Sequence, residues 1–157
     1  MKYTRLTKEQ FEEMHPEFTN FLASQQIDKH EWDKLKEEKP EVAEQELDVF
    51  SDLVWEGVLS NARFLEHYSK NHIFLFGFDE KHIHTIVIKA LLTDIDFMTQ
   101  EGLQWLSDAV FTNDVEIKHG GKDFGSDRNK EVFDIIQQGA ILSDGVLYQQ
   151  FKDLLKL

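Results

Sequence analysis

Apolar positions follow two different periods along this chain. Over the first sixty residues they recur every three or four positions. Phe11, Met14, Phe18, Phe21 and Leu22 form one such set, Trp32 and Leu35 a second, and Ala43, Leu47, Phe50, Val54, Gly57 and Val58 a third. That spacing places each set on one face of a helix. Thr7 with Gln10 and Asp28 with Glu31 read as capping boxes that open the first two. Pro16 falls inside the first pattern and predicts a kink or a restart. Pro40 closes the second and serves as the first residue of a third helix running from about Glu41 to Leu59. Past Leu53, Trp55 and Leu59 add apolar groups on other sides, so the end of this helix is expected to be its more buried part.

The period then shortens to two. Ile73-Phe74-Leu75-Phe76-Gly77-Phe78 and Ile83-His84-Thr85-Ile86-Val87-Ile88 are β-branched and aromatic, and the polar Asp79-Glu80-Lys81 separates them, which predicts a β-hairpin. Arg63 to Tyr68 reads as a preceding strand and Val115 to His119 as a fourth. Thr99 caps a helix carrying Leu103, Leu106 and Val110. Ser126 or Asp127 opens another with Val132, Phe133 and Ile136, stopped by Gly139. Ser143 caps a last helix with Val146, Leu147, Phe151 and Leu154. No repeat or linker interrupts this order. The expected class is α+β, one domain over residues 1–157: N-terminal helices, a small antiparallel sheet (a hairpin or meander plus one further strand), and C-terminal helices.

Composition narrows the function classes. The 157 residues suit one domain, and 13 Phe supply a core. The net charge of −13 repels a phosphate backbone, so nucleic acid is not an expected partner. Without cysteine there are no disulfides, thiolate nucleophiles or cysteine-ligated metals. The first residues lack the apolar segment of a signal peptide, and no apolar run approaches the ~20 residues of a membrane span, so a cytoplasmic protein away from membranes is expected. The acid excess is local. Residues 1–60 hold 15 acids and 7 bases, a net of −8, whereas residues 114–130 hold 4 of each.

Three groups of residues carry candidate chemistry. Glu44, Asp48, Asp52 and Glu56 lie four apart on one helix. Like charges at that spacing repel by about 0.2–0.5 kcal/mol per pair, so a basic partner, a divalent cation or water must compensate. Each four-residue step also turns the stripe by roughly 40°, so the four acids do not converge on one ion. The stripe reads as a solvated face or a docking face for a basic protein, with Glu56, in apolar surroundings, open to a raised pKa. His82 and His84 share one face of a strand. With a three-residue loop Phe78 faces His82, Phe76 faces His84, and His72 joins the same side, a metal half-site lacking a third ligand, for which His67, His119 or Glu66 are in reach. Lys118-His119-Gly120-Gly121-Lys122, followed by Gly125, Ser126 and Arg128, reads as a glycine-bearing loop between a strand and a helix, with cations placed for an anion. It lacks the Gly-Lys-Ser/Thr phosphate loop and the dinucleotide glycine spacing. Each set also has an ordinary structural explanation. No nucleophile elbow or His-Glu-x-x-His motif occurs, and no cofactor is implied.

Glu46-Leu47-Asp48-Val49-Phe50-Ser51-Asp52-Leu53-Val54-Trp55-Glu56-Gly57-Val58-Leu59, Asp127-Arg128-Asn129-Lys130-Glu131 and Ile136-Gln137-Gln138-Gly139-Ala140 give the chain a resemblance over most of its length. It resembles a family of small uncharacterised proteins from Bacteroidetes-type bacteria. The resemblance implies a bacterial, cytoplasmic protein and transfers no activity. The leading expectation is therefore a non-catalytic domain that binds a basic protein or associates with itself through the acidic face. The alternative is a small-molecule or anion-binding protein, or a hydrolytic enzyme, using the Gly/Lys segment and the sheet histidines.

Overall fold

The computed structural model describes residues 1–157 as seven helices and a five-stranded antiparallel sheet, an α+β architecture. The chain falls into two compact units, residues 1–60 and 61–157.

The first unit is helical: α1 (Lys8–Glu13), α2 (His15–Ser24), α3 (Lys29–Glu38) and α4 (Pro40–Asn61). Thr7 completes its capping box. Its hydroxyl accepts from the Gln10 amide at 3.2 Å, and the Gln10 side chain accepts from the Thr7 amide at 2.8 Å. The chain breaks at Met14 and restarts with Pro16 in the first turn of α2, where a missing N–H leaves nothing unpaired. At Asp28 one half of the box forms, its carboxylate accepting from the Glu31 amide at 2.8 Å. Leu6, Phe18, Leu22 and Phe50 are buried together, with Phe11, Phe21 and Trp32 packed around them. Phe18 meets Phe50 edge-on at 5.0 Å and Trp32 at 5.4 Å. The expected core face of α4 holds at Ala43 and Phe50 but not at its end, where Val58 is 37% exposed and Leu59 fully buried. Leu59 lies nine residues, about half a turn, round from Phe50, so the buried side of this helix changes along its length.

The second unit carries the sheet, in the order β4-β3-β2-β1-β5. The strands are β1 (Phe64–Tyr68), β2 (His72–Phe78), β3 (His82–Ala90), β4 (Val115–Asp123) and β5 (Ile141–Leu142), with α5 (Gln100–Ala109) before β4, α6 (Arg128–Gln137) after it and α7 (Val146–Leu154) last. The predicted strands are all present, β1 to β4 as a meander. On one face Ile73, Leu75, Ile86 and Ile88 are buried against Phe97, Leu106 of α5, and Tyr148 and Phe151 of α7. On the other, Phe78 meets Phe124 edge-on at 6.1 Å, with the Arg128 guanidinium over both rings.

Four local expectations are corrected. The hairpin pairs Phe78 with Ile83 and Gly77 with His84, so an even number of residues lies between paired positions and, relative to β2, every β3 side chain takes the face opposite to that expected from a three-residue loop. The Asp79 side chain sets this register by accepting from the Lys81 and His82 amides, both at 2.8 Å, while the Asp79 amide donates to the His82 carbonyl. β4 does not end at His119. It continues through Gly120 and Gly121 to Asp123, paired with β3 throughout, and the Phe124 amide then donates to the Lys81 carbonyl at 2.8 Å. The segment between α6 and α7 holds β5, which pairs with β1. Ser143 does not cap α7. Gly145 does, at φ 83°, while the Ser143 hydroxyl donates to Glu66 at 2.6 Å and accepts from the Gly145 amide at 2.9 Å. Asp127 caps α6, and Gly139 follows that helix at φ 116°. No helix is long and apolar enough to cross a membrane.

Candidate functional site

The observed register gathers side chains on the face that packs against α5 and α7. His82 pairs with Asp123 and His84 with Gly121, while His119 sits two residues before Gly121 on the same side of β4. α7 contributes Tyr148 and, one turn on, Lys152. His84 is the centre: its Nδ1 lies 3.0 Å from the Tyr148 hydroxyl and its Nε2 3.2 Å from Nδ1 of His119. A neutral imidazole with its proton on Nε2 satisfies both contacts, accepting from Tyr148 and donating to His119. Gly77 makes the first possible, because the Tyr148 ring lies flat against it; a Cβ there would stand 2.5 Å from the ring. Gly77, His84 and Tyr148 line a cavity of about 450 Å³, together with His82, Asp123 and Lys152, while His119 stands behind His84 outside its lining.

The electrostatics follow from burial. Desolvation, then the neighbouring His119 and Lys152, holds the His84 pKa below its ordinary value. Burial likewise raises that of Tyr148, keeping its hydroxyl proton available. His82 donates to Asp123, an open pair with side chains 63% and 77% exposed, so it orients the ring rather than stabilising the fold. The Asp79 carboxyl, held below the usual range by the Lys81 and His82 amides, is committed to its turn. The lining offers hydrogen-bond donors, the His82 and His84 rings, and Lys122 and Lys152 alongside the Asp79 and Asp123 carboxylates, around a half-open space. Such a set suits a small polar ligand.

The sequence-based sets divide differently from expectation. His72 pairs with Lys89 on the opposite face from His82 and His84, where it stacks on Phe74 at 5.8 Å. The three histidines proposed for a metal therefore do not converge. His67 is also on that far side, against Phe74, and Glu66 accepts from Tyr68 and Ser143. Of the candidate third ligands only His119 reaches His84, and no group of three or more His, Asp or Glu is placed to hold a metal ion. The anion set is dispersed too. Gly120 and Gly121 are ladder residues instead of a loop, and Lys118, Gly120 and Lys122 point away from His119. Lys122 lies 3.4 Å from Glu131. Arg128 is a tie within the fold, donating to the Asp79 and Ala62 carbonyls, each at 2.8 Å. Burial depresses its pKa, followed by repulsion from Arg63.

The acidic stripe has a partner in its own chain. Residues 2–5 run beside α4. Arg5 pairs with Glu44 and, at 2.7 Å, with Asp48; the Asp52 carboxylate accepts from the Lys2 and Tyr3 amides at 2.7 and 2.9 Å. Glu56 accepts from the Tyr3 hydroxyl, with Lys2 at 3.7 Å. Burial, and then the bond to Glu56, pushes the Tyr3 pKa to about 12. The Arg5 pKa is raised, first by Asp48 and then by Glu44. Ser51 pins the next residue, its hydroxyl accepting from the Leu6 amide at 3.1 Å and donating to the Leu47 carbonyl at 2.7 Å. The basic side chains that compensate the repulsion lie about forty to fifty positions before the acids they meet.

Sequence reasoning also missed a groove of about 660 Å³ between α5 and α7, lined by Leu103, Leu106, Val110, Leu147, Phe151 and Leu154. Its residues carry the helical spacing of an ordinary core stripe, so only the exposure of Leu103 and Leu154 at its rim marks it.

Over residues 1–156 the chain matches the family of unknown function DUF6495, and it belongs to that family. Neither a curated protein nor a solved structure matches it.

Proposed function

We propose that this member of the family is a small-molecule-binding protein, whose ligand is a small anion held at His84, Tyr148 and Lys152, with His119 positioning His84. The observation that carries this reading is the placement of His84, fixed between a hydroxyl and a second imidazole at the wall of a cavity of about 450 Å³. That volume lies within the range of roughly 300–1,000 Å³ typical of ligand sites. Lys152 brings positive charge to the edge of the cavity in a chain of net charge −13, where most surfaces repel anions. This reading takes the protein as cytoplasmic and does not require catalysis. The acidic stripe is less suited to a foreign basic partner, because such a partner would first displace Arg5 and the Lys2 and Tyr3 amides.

The test is thermal denaturation with inorganic phosphate and a nucleoside monophosphate at pH 6 and pH 8. A ligand at a hundred times its Kd stabilises by about 2.7 kcal/mol, which for a chain of this size raises Tm by roughly 5–10 °C. Stabilisation is expected to be larger at pH 6, where His84 is more often protonated, and to vanish in His84→Ala and Lys152→Ala. The same shift in His84→Ala, or no shift with either anion at either pH, sinks the proposal.

A further inference from the structure

The two edges of the sheet are built differently. β5, at one edge, is only two residues long. β4, at the other, is nine residues, paired with β3 along one side in a register without a bulge and exposed from Lys118 to Asp123. It contains no proline. Short edge strands, bulges and prolines are the usual protections against pairing with another chain, and β4 has none of them. Its charged side chains, Glu116, Lys118, Lys122 and Asp123, are the protection it does carry, and a partner of complementary charge answers them.

We propose that two copies of this chain associate by antiparallel pairing of β4 with β4 about a two-fold axis at His119, joining two five-stranded sheets into one. Charge and size select both the occupant and the register. Residues 115–123 hold two acids and two lysines, a neutral stretch in a chain of −13, so two copies repel least here. A centre at His119 pairs all nine residues. It sets Glu116 of each copy opposite Lys122 of the other, Ile117 opposite Gly121, and Lys118 opposite Gly120, where an added side chain would meet open space. Centring on Lys118 instead puts that lysine against its own copy, and centring on Gly120 puts Lys118 against Lys122. The His119 register alone pairs all nine residues, opposes no like charges and sets Glu116 against Lys122, and it brings His119 of both copies together on the face that holds His84. This inference stands on the strand edge and does not depend on the ligand reading.

Sedimentation equilibrium from micromolar to submillimolar concentration tests it. The wild-type chain is expected to show a reversible monomer–dimer equilibrium. Glu116→Lys or Lys122→Glu alone turns two symmetry-related attractive pairs into repulsive ones, raising the dimer Kd roughly tenfold or more. The double variant E116K/K122E restores the pairing and is expected to recover close to the wild-type Kd. Each single change also removes a contact within the chain, Glu116 with Lys118 at 3.2 Å or Lys122 with Glu131 at 3.4 Å. Those losses persist in the double variant, so its recovery reads the contact between copies alone. A chain that is monomeric throughout overturns the proposal. So does a dimer indifferent to the single changes, or a double variant weaker than either.

Discussion

Gly77→Ala joins the packing of the sheet to the geometry of the site. An added Cβ would lie 2.5–2.9 Å from three atoms of the Tyr148 ring, well inside contact distance. The ring cannot yield by a simple terminal rotation, because Tyr148 is buried in the cluster with Leu75, Ile86 and Phe151. Overpacking of this kind costs about 1–3 kcal/mol. Removing a glycine from a strand returns roughly 0.5–1 kcal/mol, so the net loss is on the order of 1–2 kcal/mol. For a chain of 157 residues that lowers Tm by roughly 2–8 °C. Circular-dichroism melts of wild type, Gly77→Ala, Tyr148→Leu and the double variant form a cycle. Replacing the ring should relieve the clash, so the double variant should be clearly more stable than the sum of the single losses implies. Gly77→Ala as stable as wild type, or strict additivity in the cycle, would refute the contact between ring and strand.

Two further outcomes follow from the residues described. The His84 pKa is depressed from its ordinary 6.5, so below that value the unfolded chain binds a proton that the folded chain resists; stability is full above about pH 6.5 and falls as pH drops toward the folded pKa. Urea denaturation between pH 5 and 7.5 should show a shallower decline in His84→Gln, and an identical slope would place the cause elsewhere. Asp52→Ala removes the acceptor of two backbone amides, a loss of about 1–2 kcal/mol given their partial exposure, and hydrogen exchange at the Tyr3 amide should accelerate. An unchanged Tyr3 exchange rate would show that Asp52 does not hold the N-terminal residues.

Periodicity made most of the elements legible, because each strand and helix carries its own apolar pattern. Ile73–Phe78 and Ile83–Ile88 announce a hairpin however they pair. What the pattern does not contain is parity. Whether His72 joins His84 depends on one residue in the turn, and the signal lay in Asp79, whose side chain selects the register through two amides. β4 runs past its expected end at His119 because Gly120 and Gly121, which resemble a loop, are held extended by ladder bonds to β3. The site itself lay beyond sequence reading for the same reason. His84, His119 and Tyr148 are separated by 35 and 64 positions in their contacts, and only the correct register and the placement of α7 bring them together. The stripe on α4 was plain, but its partners Lys2, Tyr3 and Arg5 show no pattern that would assign them to it.

The order of strands has a kinetic consequence. From β1 to β3 each strand lies beside the next one in sequence across a short turn, so this part of the sheet forms by zipping neighbours and closes no long loop. β4 must return across α5 to find β3, and the two residues of β5 across α5, β4 and α6 to find β1. The hairpin at Glu80 and Lys81 is the natural nucleus, and the last backbone pairing to form is the one that brings Ser143 to Glu66.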